Sequence, residues 1–158
     1  EMKMDVTRGC KKMIFLTLAV MAFSALGDSD AFGADDLETK LQSVAIQGYD
    51  PVAYFTEGRA IKGKGEYFFT WNDARWLFAN AEHRDRFAAD PERYAPKFRG
   101  YCAYGMSMGK QVAADPQEWT IVDGRLYLNY NRKTRDIWRE DQTALIKKAE
   151  KNWAERTD

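Results

Sequence analysis

Beyond residue 33, four short hydrophobic segments form two pairs, and a two-residue polar turn signal interrupts each pair. Asn72-Asp73 separates the members of the first pair, and Asp123-Gly124 separates those of the second. Both dipeptides tolerate the left-handed backbone of a tight hairpin, and the flanking aromatic and β-branched residues favour strands. The sequence therefore predicts two β-hairpins, with strands over 66–71, 74–79, 119–122 and 125–130.

Short helices are predicted between and after the hairpins. The turn at 48–51 predicts a short helical turn directly after it, and Asn80 is a good N-cap for a helix over 81–89. From Thr134 onward, apolar residues recur near helical spacing, with charged residues on the other face. This pattern predicts two helices joined around Asp141.

The segment 100–109 is punctuated by glycines and rich in large side chains, which is typical of a tight, irregular path through a core. No internal repeat is evident along the chain. Two hairpins interleaved with short helices predict an α+β fold. We expect a small domain of two β-hairpins with short helices and a C-terminal helical tail.

The N-terminal residues have the three parts of a secretory signal peptide. Basic side chains precede an apolar run over 13–23, and small residues then offer cleavage sites near residues 27 and 33. The run is too short to span a bilayer, which takes ~20 apolar residues. We therefore predict a signal peptide over 1–33, a single domain over 34–158 without a membrane span, and an exported, periplasmic or secreted protein. The alternative is an uncleaved anchor helix.

Charge gives no indication of a nucleic acid partner. The chain has 24 Lys and Arg, 24 Asp and Glu, and a formal net charge of zero. Its basic residues do not cluster, so the surface lacks the electrostatic footprint that binds a phosphate backbone.

Removal of residues 1–33 would leave one cysteine, one histidine and two methionines: Cys102, His83, Met106 and Met108. Thiolate, thioether and imidazole together suit copper, and thioethers favour Cu(I). The competing interpretation is structural, since Cys and Met are common in cores. A lone helical His among charged neighbours is likewise typical of a solvated surface.

Two further classes of function stay open. One is a metal-free module that binds a small ligand or a partner peptide in an aromatic-lined pocket, with Tyr49, Tyr101 and Tyr104 among its residues. The other is a thiol-dependent enzyme that uses Cys102. No serine elbow, phosphate loop or paired-His motif favours an enzyme.

Four segments and a set of spaced core residues carry a family resemblance: 48–55, 66–96, 100–110 and 119–131, with Phe78, Phe87, Pro91 and Tyr94. On these residues the chain resembles the YHS-domain family, specifically its exported bacterial branch, and the likeness covers nearly all of 34–158. The resemblance implies a small α+β unit and a role near metals. Many members have cysteines where this chain has Ala79 and His83, so their two-cysteine site is not carried over.

These observations lead to one hypothesis for the site. Cys102, assisted by Met106 or Met108 and by His83, would bind copper as Cu(I). Two chains of a homodimer could share such a site.

Overall fold

The structure is a computed structural model that describes residues 43–157, all within one compact unit. This part of the chain is a mixed α+β domain with two small sheets and six helices, which confirms the predicted fold class. The strands are β1 (Ser43–Val44), β2 (Lys64–Trp71), β3 (Ala74–Phe78), β4 (Asp115–Val122) and β5 (Arg125–Asn129). The helices are α1 (Ala53–Thr56), α2 (Ala81–Ala89), α3 (Pro91–Tyr94), α4 (Ala103–Ser107), α5 (Arg132–Glu140) and α6 (Gln142–Thr157).

The predicted signal peptide lies outside the described residues. Within 43–157, no helix is both long enough and apolar enough to cross a bilayer.

Both predicted hairpins are present. β2 and β3 pair antiparallel around Asn72 and Asp73, whose φ angles are 49° and 56°. β4 and β5 pair around Asp123 and Gly124, whose φ angles are 48° and 71°. The first strand of each hairpin begins earlier than predicted, because an irregularity in each ladder lets polar residues before the hydrophobic run join it. β1 adds a parallel strand to the other edge of β3.

Asparagine side chains begin the helices that follow the hairpins. Asn80 accepts a hydrogen bond from the His83 N–H at the start of α2, as predicted, and Asn131 accepts one from the Thr134 N–H at the start of α5. Such caps satisfy N–H groups that the first helical turn leaves without a partner. The tail consists of α5 and α6, which meet at Asp141 as the spacing predicted.

The segment 100–109 differs from its prediction, because it contains the helix α4. The Met106 N–H donates to the Cys102 carbonyl at 2.8 Å, and Cys102 caps the helix. A Cβ at Gly105 would lie 3.1 Å from the Lys110 carbonyl oxygen. The glycine therefore permits close packing of the chain that follows α4, and it does not prevent the helix.

The two halves of the domain repeat the same succession of elements, although no repeat is evident in the sequence. Each half begins with a left-handed turn, at 46–48 with φ angles of 40°, 54° and 77°, and at 98–100 with 58°, 52° and 81°. Tyr49 and Tyr101 follow these turns, and each forms an isolated antiparallel bridge further along the chain. A short helix, a hairpin and an Asn-capped helix complete each half.

The hairpins of the two halves also share the same irregular register. Lys64 pairs with Phe78 and Asp115 with Asn129, and each ladder then skips to a pair further along its first strand. The Gly-Tyr pairs and the capping asparagines recur at matching positions, whereas Phe78 corresponds to Asn129. The repeat therefore resides mainly in backbone conformation and hydrogen bonding, where the sequence alone does not show it.

Aromatic core contacts correspond between the halves. Trp76 packs on Phe87 with ring centroids 5.0 Å apart, and Tyr127 packs on Trp138 with centroids 5.4 Å apart. Phe87 and Trp138 occupy matching places on α2 and α5, and both side chains are fully buried. Each half thus has its own aromatic cluster around one large side chain of its Asn-capped helix.

Candidate functional site

A buried carboxylate in the first half gathers hydrogen bonds from three elements. Asp50 is fully buried, and its Oδ1 accepts from the backbone N–H groups of Val52 at 2.8 Å and Ala53 at 3.3 Å, which begin α1. Its Oδ2 accepts from the Ala79 N–H at 2.8 Å and lies 2.6 Å from Nδ1 of His83. A charged carboxylate is retained in a core only when such donors replace water. Asp50 therefore connects α1, the end of β3 and α2 through hydrogen bonds of its side chain.

His83 is buried, which corrects the expectation of a solvated side chain. Its neighbours in sequence are charged, but the residue is only 5% exposed because α2 turns this position toward Asp50. The ring donates from Nδ1 to the carboxylate, so the neutral tautomer leaves a lone pair on Nε2. Asp50 thus fixes the orientation of the imidazole.

Nε2 of His83 points toward two oxygen-bearing side chains at the end of α1. The Thr56 hydroxyl lies 3.2 Å from Nε2, and Oε1 of Glu57 lies 4.0 Å from it. The Glu57 side chain is 38% exposed, so this edge of the ring lies near solvent. Its other carboxylate oxygen is 3.5 Å from Arg59. The Thr56 hydroxyl and the Glu57 carboxylate thus both face Nε2, and of the two charged partners of the ring, Asp50 and Glu57, Glu57 is the exposed one.

Cys102 lies in a second buried polar site, in the other half of the domain. Its Sγ accepts from the backbone N–H groups of Gly105 at 3.3 Å and Tyr130 at 3.2 Å. The thiol faces Oδ1 of Asn129 at 3.9 Å, and that oxygen also accepts from the Tyr104 N–H at 3.3 Å. Cys102 is only 1% exposed and belongs to the core cluster that includes Tyr54.

The two predicted thioethers lie apart from these contacts. Met106 is fully buried in the cluster around Trp138, whereas Cys102 belongs to the cluster that contains Tyr54. Met108 is 58% exposed beyond the end of α4. The hydrogen bonds of the Cys102 sulfur run to Gly105, Tyr130 and Asn129, and those of His83 run to the Asp50 site. His83 and Met108 thus lie in surroundings different from those of Cys102, and Met106 packs in a core cluster next to that of Cys102.

The three predicted ligand-binding tyrosines also occupy different surroundings. Tyr101 lines a groove of about 830 Å³ together with Trp71 and Trp76. The Tyr49 ring lies under the Lys62 ammonium, 4.1 Å from its centroid. Tyr104 belongs to α4 and packs against two core clusters. Of the three, Tyr101 alone is among the described lining residues of this groove.

A buried tyrosine borders both polar sites. Burial, followed by the charges of Tyr49, Asp115 and Asp50, raises the pKa of Tyr54 well above its usual range. The phenol therefore stays protonated and donates to the Pro116 carbonyl at 2.8 Å. This hydrogen bond links α1 to the start of β4.

Asp50 and Cys102 hold the same place in the repeated motif. Each follows the Gly-Tyr pair after a left-handed turn, and each donates its own N–H to a later carbonyl, Ile61 at 2.8 Å and Val112 at 2.9 Å. Each side chain caps the next short helix and also accepts the N–H of the residue after its hairpin. One structural position is thus filled by a carboxylate in the first half and by a thiol in the second.

The sequence analysis missed Asp50, Thr56, Glu57 and Asn129 as members of these sites. Asp50 had a usable signal, because an Asp before Pro at the start of a helical turn is a typical capping arrangement. Nothing in the sequence indicated that this carboxylate would meet His83, which lies far along the chain on another helix. Asn129 had no signal, since it ends a strand directly after the hydrophobic residues 126–128.

Comparisons of the chain with models of known protein families, with curated proteins and with solved structures give no match.

Proposed function

We propose that the protein binds a divalent transition metal ion, copper(II) foremost, at the imidazole of His83. The observation that supports this proposal is the Asp50–His83 pair, in which a carboxylate holds Nδ1 and directs Nε2 toward Thr56 and Glu57. Metal-binding histidines characteristically have such an outer carboxylate, which fixes the ring and raises its basicity. The resemblance to YHS domains, with its implied role near metals, points in the same direction.

The oxygen donors beside Nε2 determine which ion suits the site. Imidazole, carboxylate and hydroxyl form a nitrogen and oxygen set, which binds divalent ions along the series that peaks at copper(II). The soft sulfur set predicted from the sequence would instead favour Cu(I). His83 and Cys102 lie in separate hydrogen-bonded sites, and Met108 is exposed. We therefore place copper as Cu(II) at His83 and not as Cu(I) at Cys102.

Metal binding would require a small movement of the oxygen-bearing side chains beside Nε2 of His83. Two adjacent ligands that each lie ~2.0 Å from a square-planar or tetragonal copper(II) ion are about 2.8 Å apart. The 3.2 Å between Nε2 and the Thr56 hydroxyl is slightly longer than this spacing, and the 4.0 Å to Glu57 is longer still. Glu57 can close the gap by a change of rotamer, at the cost of its ion pair with Arg59.

The site supplies only part of a coordination sphere. Among residues 43–157, no group of three or more His, Cys, Asp and Glu side chains is arranged to hold an ion. Water, or the same surface of a second chain, would provide the remaining ligands, and a metal-linked homodimer follows naturally from the second option. We place this activity outside the cytoplasm, on the strength of the signal-like pattern over 1–33.

Copper(II) titration of the full chain tests the proposal, because His83→Asn separates binding from folding. The Asn amide can still donate to Asp50 but has no group at the position of Nε2. We expect at least ~100-fold weaker binding for His83→Asn, and about tenfold weaker binding for Glu57→Gln. We also expect the imidazole nitrogen coupling to disappear from the Cu(II) EPR spectrum of His83→Asn.

Two control variants distinguish this site from the alternatives. Glu82→Gln removes an exposed carboxylate next to His83 that pairs with Arg86, and it should bind copper as the parent does. Cys102→Ala, in a Cys10→Ser background, should also retain binding. Loss of copper in Cys102→Ala with normal binding in His83→Asn would refute the His83 site and restore the thiol site.

A further inference from the structure

The second half of the domain contains an unsatisfied polar group beside the only thiol of the described residues. Asn129 is fully buried, and within 43–157 its Nδ2 has no hydrogen-bond partner. The amide oxygen of the same side chain faces Cys102 Sγ at 3.9 Å. A buried amide donor without an acceptor costs about 1–3 kcal/mol, so this group indicates an acceptor that the thiol does not provide.

The first half shows which kind of acceptor fits this position. There, Asp50 places two carboxylate oxygens among donors that match those around Cys102. The Asp50 oxygens additionally accept the Val52 N–H, whose counterpart, the Tyr104 N–H, instead donates to Asn129. The single sulfur atom of Cys102 thus lies among donors whose counterparts in the first half surround two carboxylate oxygens. We call this set of donors, the N–H groups of Gly105, Tyr104 and Tyr130, the cradle.

We propose that Cys102 is a site of oxidation by hydroperoxides, and that its stable product is the sulfinate. A cysteine sulfinate has two oxygens on the atom attached to Cβ, as aspartate does. One oxygen would accept from Gly105 and Tyr104, as Oδ1 of Asp50 accepts at the start of α1. The other would accept from Tyr130 and, after rotation of the amide, from Nδ2 of Asn129.

The chemistry proceeds in two steps with a hydroperoxide as the named oxidant. In the first step with hydrogen peroxide, sulfur attacks one peroxide oxygen, the O–O bond breaks and an S–O bond forms. The thiol proton passes to the departing hydroxide, which leaves as water (an alkyl hydroperoxide would release its alcohol), and the product is the sulfenic acid. A second hydroperoxide repeats this reaction and gives the sulfinic acid, which releases its proton to solvent. Sulfur loses two electrons in each step, and each peroxide gains them.

One tryptic peptide contains both the site and its internal references. Cleavage after Arg99 and Lys110 yields a peptide with Cys102, the equally buried Met106 and the exposed Met108. The folded full chain, in a Cys10→Ser background, is treated with hydrogen peroxide and then unfolded, alkylated and digested. Fragment-ion spectra then assign each added oxygen to one of the three residues.

We expect Met108 to oxidise first because it is exposed. Cys102 should follow, with two added oxygens, at least ~10-fold faster than Met106. Accumulation of sulfinate without further conversion is the expected end point, since the cradle has places for two oxygens. Oxidation of Cys102 no faster than that of Met106, or a product other than the sulfinate, would overturn the proposal.

A second measurement does not depend on the access of peroxide to the site. Cys102→Asp introduces the carboxylate analogue of the sulfinate, and Cys102→Asn is its neutral match in size. If the cradle accepts two anionic oxygens, Cys102→Asp should unfold at a temperature at least as high as Cys102→Asn. A buried carboxylate without donors would lower that temperature sharply or prevent folding, and either result would reject the cradle.

Discussion

Replacement of Asp50 by alanine is expected to lower the free energy of unfolding by about 4 kcal/mol or more, which would consume much of the ~5–15 kcal/mol typical of such a domain. The carboxylate accepts from three backbone N–H groups and from His83, all within the core. Its removal leaves these donors buried without acceptors, at about 1–3 kcal/mol each. Urea unfolding followed by tryptophan fluorescence measures the loss.

Two comparison variants identify the source of that loss. Asp50→Asn keeps the shape and one acceptor oxygen but sets an amide N–H against a donor, so its cost should be smaller yet still above ~2 kcal/mol. Asp85→Ala removes an exposed carboxylate on α2, and its effect should stay within ~0.5 kcal/mol. A loss below ~1 kcal/mol for Asp50→Ala would show that water replaces the carboxylate and that the site is open.

Local chemistry made most of the fold predictable from the sequence. The hairpins follow from Asn72-Asp73 and Asp123-Gly124, because left-handed φ angles are needed there and these residues adopt them at low cost. The helix after Asn80 follows from its cap. Both signals act over a few residues, so they can be recognised without knowledge of tertiary structure.

Elements that depend on distant contacts were not predictable in the same way. α4 forms because its cap and its packing against the chain that follows outweigh the low helix propensity of glycine. The left-handed turn at 46–48 includes Ile46 and Gln47, residue types that disfavour positive φ. Only the tertiary structure explains why these residues tolerate it.

The candidate site illustrates the same limit. His83 was selected from composition, as the only histidine in the sequence, but its charged neighbours suggested exposure. Its partner Asp50 is 33 residues away along the chain. The pair forms because α2 packs against the first hairpin, which brings His83 to the start of α1, and this is a property of the fold. Sequence reasoning could therefore name one member of the site and not the arrangement that gives it a role.

The repeated motif leads to a second large expected effect, at Phe87 and Trp138. Each is fully buried at the centre of the aromatic cluster of its own half. Truncation of a buried Phe or Trp to alanine typically costs about 3–5 kcal/mol. We expect Phe87→Ala and Trp138→Ala each to fall in this range by urea unfolding, whereas Phe68→Ala, at an exposed position, should cost less than ~1 kcal/mol.

Trp138→Phe tests the correspondence between the halves, because it introduces at position 138 the residue type that occupies the matching place, Phe87, on α2. Trp138 Nε1 is buried and has no partner within 43–157, so its loss removes an unsatisfied donor worth about 1–3 kcal/mol. This gain offsets the smaller ring, and we expect a net change within ~1.5 kcal/mol. One cooperative transition in every variant would show that the two clusters unfold together. A separate early transition in Trp138→Ala would instead show that each half is stabilised by its own cluster.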